Sequence, residues 1–212
     1  MYKALIYTDV HFCQFSSIVR KRGKKYSVRL HNLIDSLSWA ENLAKENNCD
    51  EILCLGDFFD KSELNGEEIT ALQDVKFANI KHTFLVGNHE INIASLDFST
   101  TELFRLINAS VINKPYSRQI NDKVTIDFIP YIVGELGDTE KYDLKNYVAQ
   151  DDKKHIVITH NDVCGIGYGR QLCSCGFNIS NILDNCSLFI DGHIHTSGIV
   201  RDRILFVGNL TG

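Results

Sequence analysis

Glu51-Ile52-Leu53-Cys54-Leu55-Gly56-Asp57-Phe58-Phe59-Asp60 is the stretch that decides the fold of this chain. Ile52 to Leu55 are all apolar, and the run is short enough to be one strand. A strand with no polar face belongs inside a sheet covered on both sides, as in parallel α/β architectures. Gly56 then breaks the run, and the carboxylates Asp57 and Asp60 follow at once. Chemically capable side chains just past the end of a buried strand mark the carboxyl edge of an α/β sheet, where functional groups collect.

The same grammar recurs along the chain. An apolar run at Ala4–Thr8 precedes Asp9-Val10-His11, and Thr83–Val86 precedes Gly87-Asn88-His89-Glu90. Ile156–Thr159 precedes His160-Asn161, and Leu188–Asp191 precedes Gly192-His193-Ile194-His195. Between the first two strands, Leu30, Leu33, Ile34, Leu37, Ala40, Leu43 and Ala44 recur at helical spacing. They predict a helix from about Val28 to Lys45, ended by Asn47-Asn48. Shorter helices are expected at Gly66–Phe77, Thr101–Ile107 and Leu144–Ala149, with a short strand near Val111. Val124–Ile132 reads as a strand entering a second sheet, and Ile199–Asp202 with Arg203–Val207 as a hairpin turning at Asp202-Arg203. Strand–helix alternation in the first half implies crossovers and a parallel sheet. The expectation is α/β: two stacked mixed sheets flanked by helices, in one domain spanning residues 1–212.

At 212 residues the chain is long enough to bury a full core. A net charge of −5 argues against a protein that coats nucleic acid, while leaving room for a local basic groove. Met1-Tyr2-Lys3 leads straight into a strand, so no signal peptide is expected, and no apolar run approaches the ~20 residues that span a bilayer. A soluble cytoplasmic protein without membrane contact is the expectation. Seven irregularly spaced cysteines fit reduced thiols better than a disulfide framework. Cys164, Cys173, Cys175 and Cys186 lie close in sequence; they read either as a structural zinc site lacking any C-x-x-C pair or as ordinary thiols.

The five clusters supply carboxylate oxygen, amide oxygen and imidazole nitrogen, which suit divalent ions of borderline hardness. Asp9 and His11, two apart on an extended segment, are expected to face the same side, as are His193 and His195. Asp57 has two oxygens with which to bridge two ions. A pair of ions ~3.5–4 Å apart clamps a phosphate and activates water for attack on it. Such a displacement needs an acid for the leaving oxygen, and His89 is the candidate. Asp60 has two readings: a partner that orients a histidine such as His89, or the cap of the following helix.

The ordered set Asp9-x-His11, Gly56-Asp57-x-x-Asp60, Gly87-Asn88-His89-Glu90, His160 and Gly192-His193-x-His195 resembles the calcineurin-like metallophosphoesterase superfamily over nearly the whole chain. The resemblance implies a four-layer αββα sandwich. It implies one ion held by Asp9, His11, Asp57 and His195, and a second by Asp57, Asn88, His160 and His193. His89, with Asp60, is then the catalytic group. Mn²⁺ is the first expectation for the two divalent ions, with Fe²⁺ or Zn²⁺ as alternatives.

Substrate is less legible. Asp60 is followed by Lys61-Ser62, unlike the Arg-Gly of the family's protein phosphatases, and the tyrosine ligand of purple acid phosphatases is missing from that block. Thr8-Asp9-Val10-His11, Leu55 to Asp60 and the closing Val207-Gly208-Asn209 are similar to the nuclease subunit of the SbcD-type DNA repair complex. That likeness implies an exonuclease-type phosphodiesterase acting on DNA, with a separate SMC-like ATPase as partner. No DNA-capping or partner-docking domain is expected in this chain. Phosphomonoesters and small phosphodiesters are the alternative substrates, and a catalytically silent metal-stabilised scaffold is the alternative outside enzymes. Arg20, Lys21, Arg22, Lys24 and Lys25 are either a solvated loop or a phosphate-backbone contact. Gly165 to Arg170 reads as a flexible loop over the site, with Arg170 as a further substrate contact.

Overall fold

The computed structural model describes residues 1–16, 21–92, 95–134, 139–168 and 171–210. Strand β1 (Ala4–Tyr7) leads to helix α1 (Val28–Glu46), β2 (Glu51–Cys54), α2 (Gly66–Gln73) and β3 (Lys81–Leu85). A ribbon of β4 (Ile91–Asn92) and β5 (Ser95–Ser99) and a 3-10 helix (Thr100–Ile107) then feed β6 (Ser110–Ile112). These connections build a sheet of order β1-β2-β3-β6, parallel throughout. The second half contains β7 (Tyr116–Asn121), β8 (Val124–Ile129) and β9 (Lys154–Thr159). It continues with a ribbon of β10 (Gly167–Tyr168) and β11 (Gln171–Leu172), α3 (Ile179–Asn185), β12 (Leu188–Asp191), β13 (Gly198–Val200) and β14 (Ile204–Phe206). Its sheet runs β13-β14-β12-β9-β8-β7, with β13 and β7 as antiparallel edges on a parallel middle.

Period-two alternation sorts the side chains into three cores. In β2 and the residue that follows it, Ile52 and Cys54 face the helices while Leu53 and Leu55 face the second sheet. Ile126, Phe128, Ile158 and Ile190 of the second sheet meet Leu53, Leu55 and Leu85 in the middle core. The opposite face of that sheet packs Val157, Phe189 and Phe206 against Leu144 and Ile182. Three cores between four layers make an αββα sandwich. Among the described residues, no helix is long and apolar enough to cross a membrane.

The structure departs from the sequence reading at its edges. The first sheet is parallel throughout, as the strand–helix alternation implied, so of the two stacked sheets only the second is mixed. Strand β7 was not anticipated: Tyr-Ser-Arg-Gln-Ile-Asn is polar and mostly exposed, so no apolar period announces it. The last hairpin turns one residue early, at Arg201 and Asp202, whose φ of 52° and 58° supply the left-handed backbone that such turns require. Helix α2 is capped by Asn65 through a capping box with Glu68.

One buried network ties the sheets together at the ends of the strands opposite the clusters. Glu51, 1% exposed at the start of β2, accepts Nη1 and Nη2 of Arg118 from β7 at 2.9 and 2.6 Å. Thr83 and Tyr2 also donate to it. Burial pushes its carboxyl up, but Arg118, Thr83 and Tyr2 outweigh burial and hold it below the ordinary 4.5. Its stabilisation is therefore complete above that value and lost as pH falls through the lowered one. Replacing Arg118→Ala removes the bidentate partner of a buried charge, leaving Lys81 Nζ at 3.3 Å as its cation, and should cost about 3 kcal/mol in urea unfolding at pH 7. A cost below ~1 kcal/mol would mean that Glu51 is solvated without its partner.

Candidate metal centre

Five strand ends deliver the candidate groups to one rim of the sandwich. Asp9, His11 and Asp57 reach it through left-handed backbone, with φ of 51°, 47° and 48°. Each such residue costs about 1–2 kcal/mol, offset by bonds that zip the β1 and β2 exits together. The amides of Asp9, His11 and Phe12 donate to the carbonyls of Gly56, Asp57 and Phe58 at 3.2, 3.0 and 2.7 Å. Below them Phe12, Phe58, Phe59, Phe84 and Phe104 form a buried aromatic cluster. The expectation of an extended Asp9–His11 segment is thus corrected: two left-handed residues coil it, and coiling brings Asp9 Oδ1 within 3.6 Å of His11 Nε2.

Two glycines are dictated by close approach. Gly56 has φ of +113°, and a Cβ there would sit 2.5 Å from His160 Nδ1. A Cβ on Gly87 would sit 2.2 Å from Asp57 Oδ1.

The side chains converge in two knots. In the first, His195 Nε2 is 3.2 Å from Asp9 Oδ1 and 3.2 Å from His11 Nε2. In the second, His160 Nε2 faces Asp57 Oδ2 at 3.1 Å, Asn88 Oδ1 at 3.3 Å and His193 Nδ1 at 3.3 Å. Asp57 also clusters with His11 and His89, so it stands in reach of both knots. The chemistry of the second knot calls for a cation. His160 Nδ1–H donates to the Leu55 carbonyl at 2.8 Å, so Nε2, facing Asp57 Oδ2, Asn88 Oδ1 and His193 Nδ1, must carry a proton or meet a cation. In the first, Asp9 Oδ2 accepts from Thr8 at 2.7 Å, while the buried Oδ1 has no hydrogen-bond partner. The residues present fit two divalent ions.

Electrostatics agree. Burial opposes charge on His160, but Asp57 outweighs it and raises the imidazole to about 10. Burial likewise opposes His11, and Asp60 and Asp9 raise it to about 9. Burial pushes Asp9 up, and His11 and His195 more than reverse it, holding Asp9 well below the carboxylate range.

Asp60 does not cap α2, since Asn65 does. Its carbonyl accepts from His89 Nδ1 at 2.9 Å, and its carboxylate lies 3.2 Å from His11 Nδ1 without hydrogen-bond alignment. His89 Nε2 points back toward Asp57 Oδ2 at 3.9 Å. The basic loop is turned partly to structural use: Arg22 pairs with Glu67, and Lys25 with Asp74 at 2.6 Å. Lys21 and Lys24 are exposed. Arg20 and Arg170 lie outside the described residues. Of the other histidines, His82 is held by Glu41 at 3.0 Å, His155 by Asp127 at 2.6 Å, and His31 packs on Tyr26.

Several residues that serve the site escaped the sequence reading. Glu90, fully buried, accepts Phe58 and Phe59 amides on one oxygen and the Gly87 amide on the other, clamping the β2 exit to the β3 exit. Arg29 donates to the His11 carbonyl at 2.9 Å. Asn161 bonds Ile132, Pro130 and Thr159 and so ties the β8 exit to β9. A polar residue beside a cluster was the available signal, and it separates neither ligand from brace.

The cleft over the centre, lined by Asp57, His89, His193 and His195, measures 280 Å³. A larger apolar groove of 820 Å³ runs between α2 and the Thr100–Ile107 helix and contains none of the candidate groups. The family described as calcineurin-like phosphoesterase matches residues 2–197. A dimetal phosphatase from Danio rerio has a similar fold, with a TM-score of 0.52 and 10% identity over 99% of this chain and 88% of that one. No curated protein sequence matches.

The raised imidazoles yield a pH prediction. Without ions, His11 and His160 keep their protons up to about pH 9 and 10, above the ordinary 6.5. Their contribution to folding is full below 6.5 and is lost as pH rises through those values. Cation loading must expel these protons, so affinity should rise from pH 6 to pH 9, with release of about one proton or more per pair of ions at pH 7.5. Calorimetry in buffers of different ionisation enthalpy measures this release. Buffer-independent heats would contradict it.

Proposed function

Because the chain belongs to the calcineurin-like phosphoesterase family, we propose that it hydrolyses phosphodiesters, with DNA as substrate, at a centre built on Asp57. The family implies a dinuclear divalent site, and the convergence of lone-pair groups around His160 Nε2 and Asp9 Oδ1 carries the reading. Asp9, His11, Asp57 and His195 would hold one ion, and Asp57, Asn88, His160 and His193 the other. When bound, two divalent ions, Mn²⁺ ahead of Fe²⁺ or Zn²⁺, supply Lewis acidity toward the phosphoryl group and make water nucleophilic near neutral pH.

The protein's own groups do the rest. The Asp60 carbonyl fixes a proton on His89 Nδ1, so the cleft-facing Nε2 is the atom that exchanges one. As imidazolium, His89 gives the Nε2 proton to the leaving oxygen and keeps the other. Glu90 and Arg29 position the loops without touching substrate. The diester reading is supported by an open rim, where the side chains of His89 and His195 are 41% and 55% exposed. The likeness of the Asp9 and Asp57 blocks to SbcD-type nucleases supports DNA, and with it a separate SMC-like ATPase as partner. The small cleft over the centre favours a second reading, a phosphomonoester.

A Mn²⁺-supplemented panel of linear duplex DNA, single-stranded DNA, bis-p-nitrophenyl phosphate and p-nitrophenyl phosphate tests the proposal. DNA cleavage is expected. Diester turnover without DNA cleavage would move the substrate to small phosphodiesters, monoester turnover alone to the second reading, and no turnover with ions bound to a scaffold.

Two substitutions separate the roles. Asp57→Asn should weaken both ions by metal analysis, whereas His89→Ala should retain both and lower kcat by about 10²–10⁴-fold. An unchanged rate would remove His89 from the chemistry. Neutralising Lys21 and Lys24 should flatten the salt dependence of DNA binding by about two charges. An equal slope would assign the loop to solvent.

A further inference from the structure

We infer that Asp162, Cys173 and Cys175 form a third cation site, for a thiophilic ion such as Zn²⁺, beside the dinuclear centre. Each offers one ligand atom, and the three atoms lie within 4.8 Å of one another. The two sulfurs are 3.8 Å apart. Two thiolates at ~2.3 Å from a tetrahedral zinc stand about 3.8 Å apart, so they are already spaced for a shared ion. A disulfide would need ~2.05 Å. Three protein ligands leave a fourth position open, as in zinc sites that exchange a ligand.

The loop is built to hold this spacing. The Phe177 amide donates to the Asp162 carbonyl at 2.9 Å, and Cys164 to Phe177 at 3.0 Å. Gly165 donates to the Cys173 carbonyl, and Cys173 to Ile166, both at 2.9 Å. Phe177 is fully buried and anchors the base of both arms. Gly176, at φ +102°, lets the arm carrying the cysteines close on Asp162, where a Cβ would come within 2.2 Å of its carbonyl oxygen. The other two cysteines of the sequence cluster are outside this group. The Cys186 thiol, at the C-cap of α3, donates to the Ile182 carbonyl, and Cys164 is not among the three ligands.

The site adjoins the centre. Asp162 Oδ1 lies 3.5 Å from His193 Nε2, while His193 Nδ1 faces His160. An ion on Asp162 would bear on the orientation of His193 as a carboxylate brace does. Asp162 is then a positioning residue as well as a ligand.

The inference does not depend on the substrate reading. Reduced, chelator-stripped protein titrated with Co²⁺ should develop a thiolate-to-cobalt charge-transfer band in the near ultraviolet, which the sulfur-free dinuclear centre cannot produce. Cys173→Ser and Cys175→Ser should each abolish the band and lower total metal by about one equivalent, with circular dichroism reporting the fold. Zn²⁺ should also slow iodoacetamide labelling of Cys173 and Cys175 in the unaltered protein by about tenfold, leaving Cys49 unchanged. No band at saturating Co²⁺, a band that survives both substitutions, or labelling indifferent to Zn²⁺ would overturn the third site. None of these outcomes bears on phosphoester turnover.

Discussion

A carboxylate sealed from water must be neutralised where it stands, and the architecture of this protein follows from that demand at Asp57. Its side chain is 1% exposed. Oδ1 accepts the His89 amide at 3.0 Å, and Oδ2 meets His160 Nε2 at 3.1 Å. An isolated charge at such depth would be prohibitive. Imidazoles converge because the carboxylate cannot ionise there without positive partners, and the rest of the rim is scaffolding for that convergence. Gly87 is bare because Asp57 occupies the space of its Cβ.

The scaffolding is redundant in kind. Backbone hydrogen bonds join the β1 exit to the β2 exit, Glu90 joins the β2 exit to the β3 exit, and Asn161 joins the β8 exit to β9. Glu90 is itself buried, and burial with the nearby Asp57 raises it to about 7. A brace made of a second buried carboxylate next to the first is tolerable only because three amides solvate it. At the far end of the sandwich, Glu51 and Arg118 solve the same problem with a bidentate ion pair.

What could be read from the sequence was what strong periodicity and chemistry declare. The buried strands, the long helix and the clusters at strand ends were legible because continuous apolar runs, a 3.6-residue stripe and clustered ligand atoms leave few alternatives. Strand β7 was illegible because an exposed polar edge strand owes its existence to pairing with β8, which lies outside its own sequence. The left-handed backbone at Asp9, His11 and Asp57 was illegible for a related reason. Neither aspartate nor histidine demands it, and only the paired loops and the aromatic cluster beneath impose it. Glu90 stood in plain view beside His89, but bracing and ligation use the same side chain, and geometry alone tells them apart. The basic loop keeps both of its readings: Arg22 and Lys25 pair with Glu67 and Asp74 on α2, while Lys21 and Lys24 are exposed, and a charge run in sequence does not tell the two uses apart.

Those three left-handed residues set the protein's evolvability. At Asp9, His11 and Asp57 the backbone prefers glycine, while the proposed chemistry prefers a ligand. A library selected for heat resistance alone would enrich replacements that relax these turns, and each would erase a candidate ligand. Robustness and chemistry therefore pull in opposite directions at the same three codons. Stabilising changes have to be recruited from the outer layers of the sandwich, far from the rim.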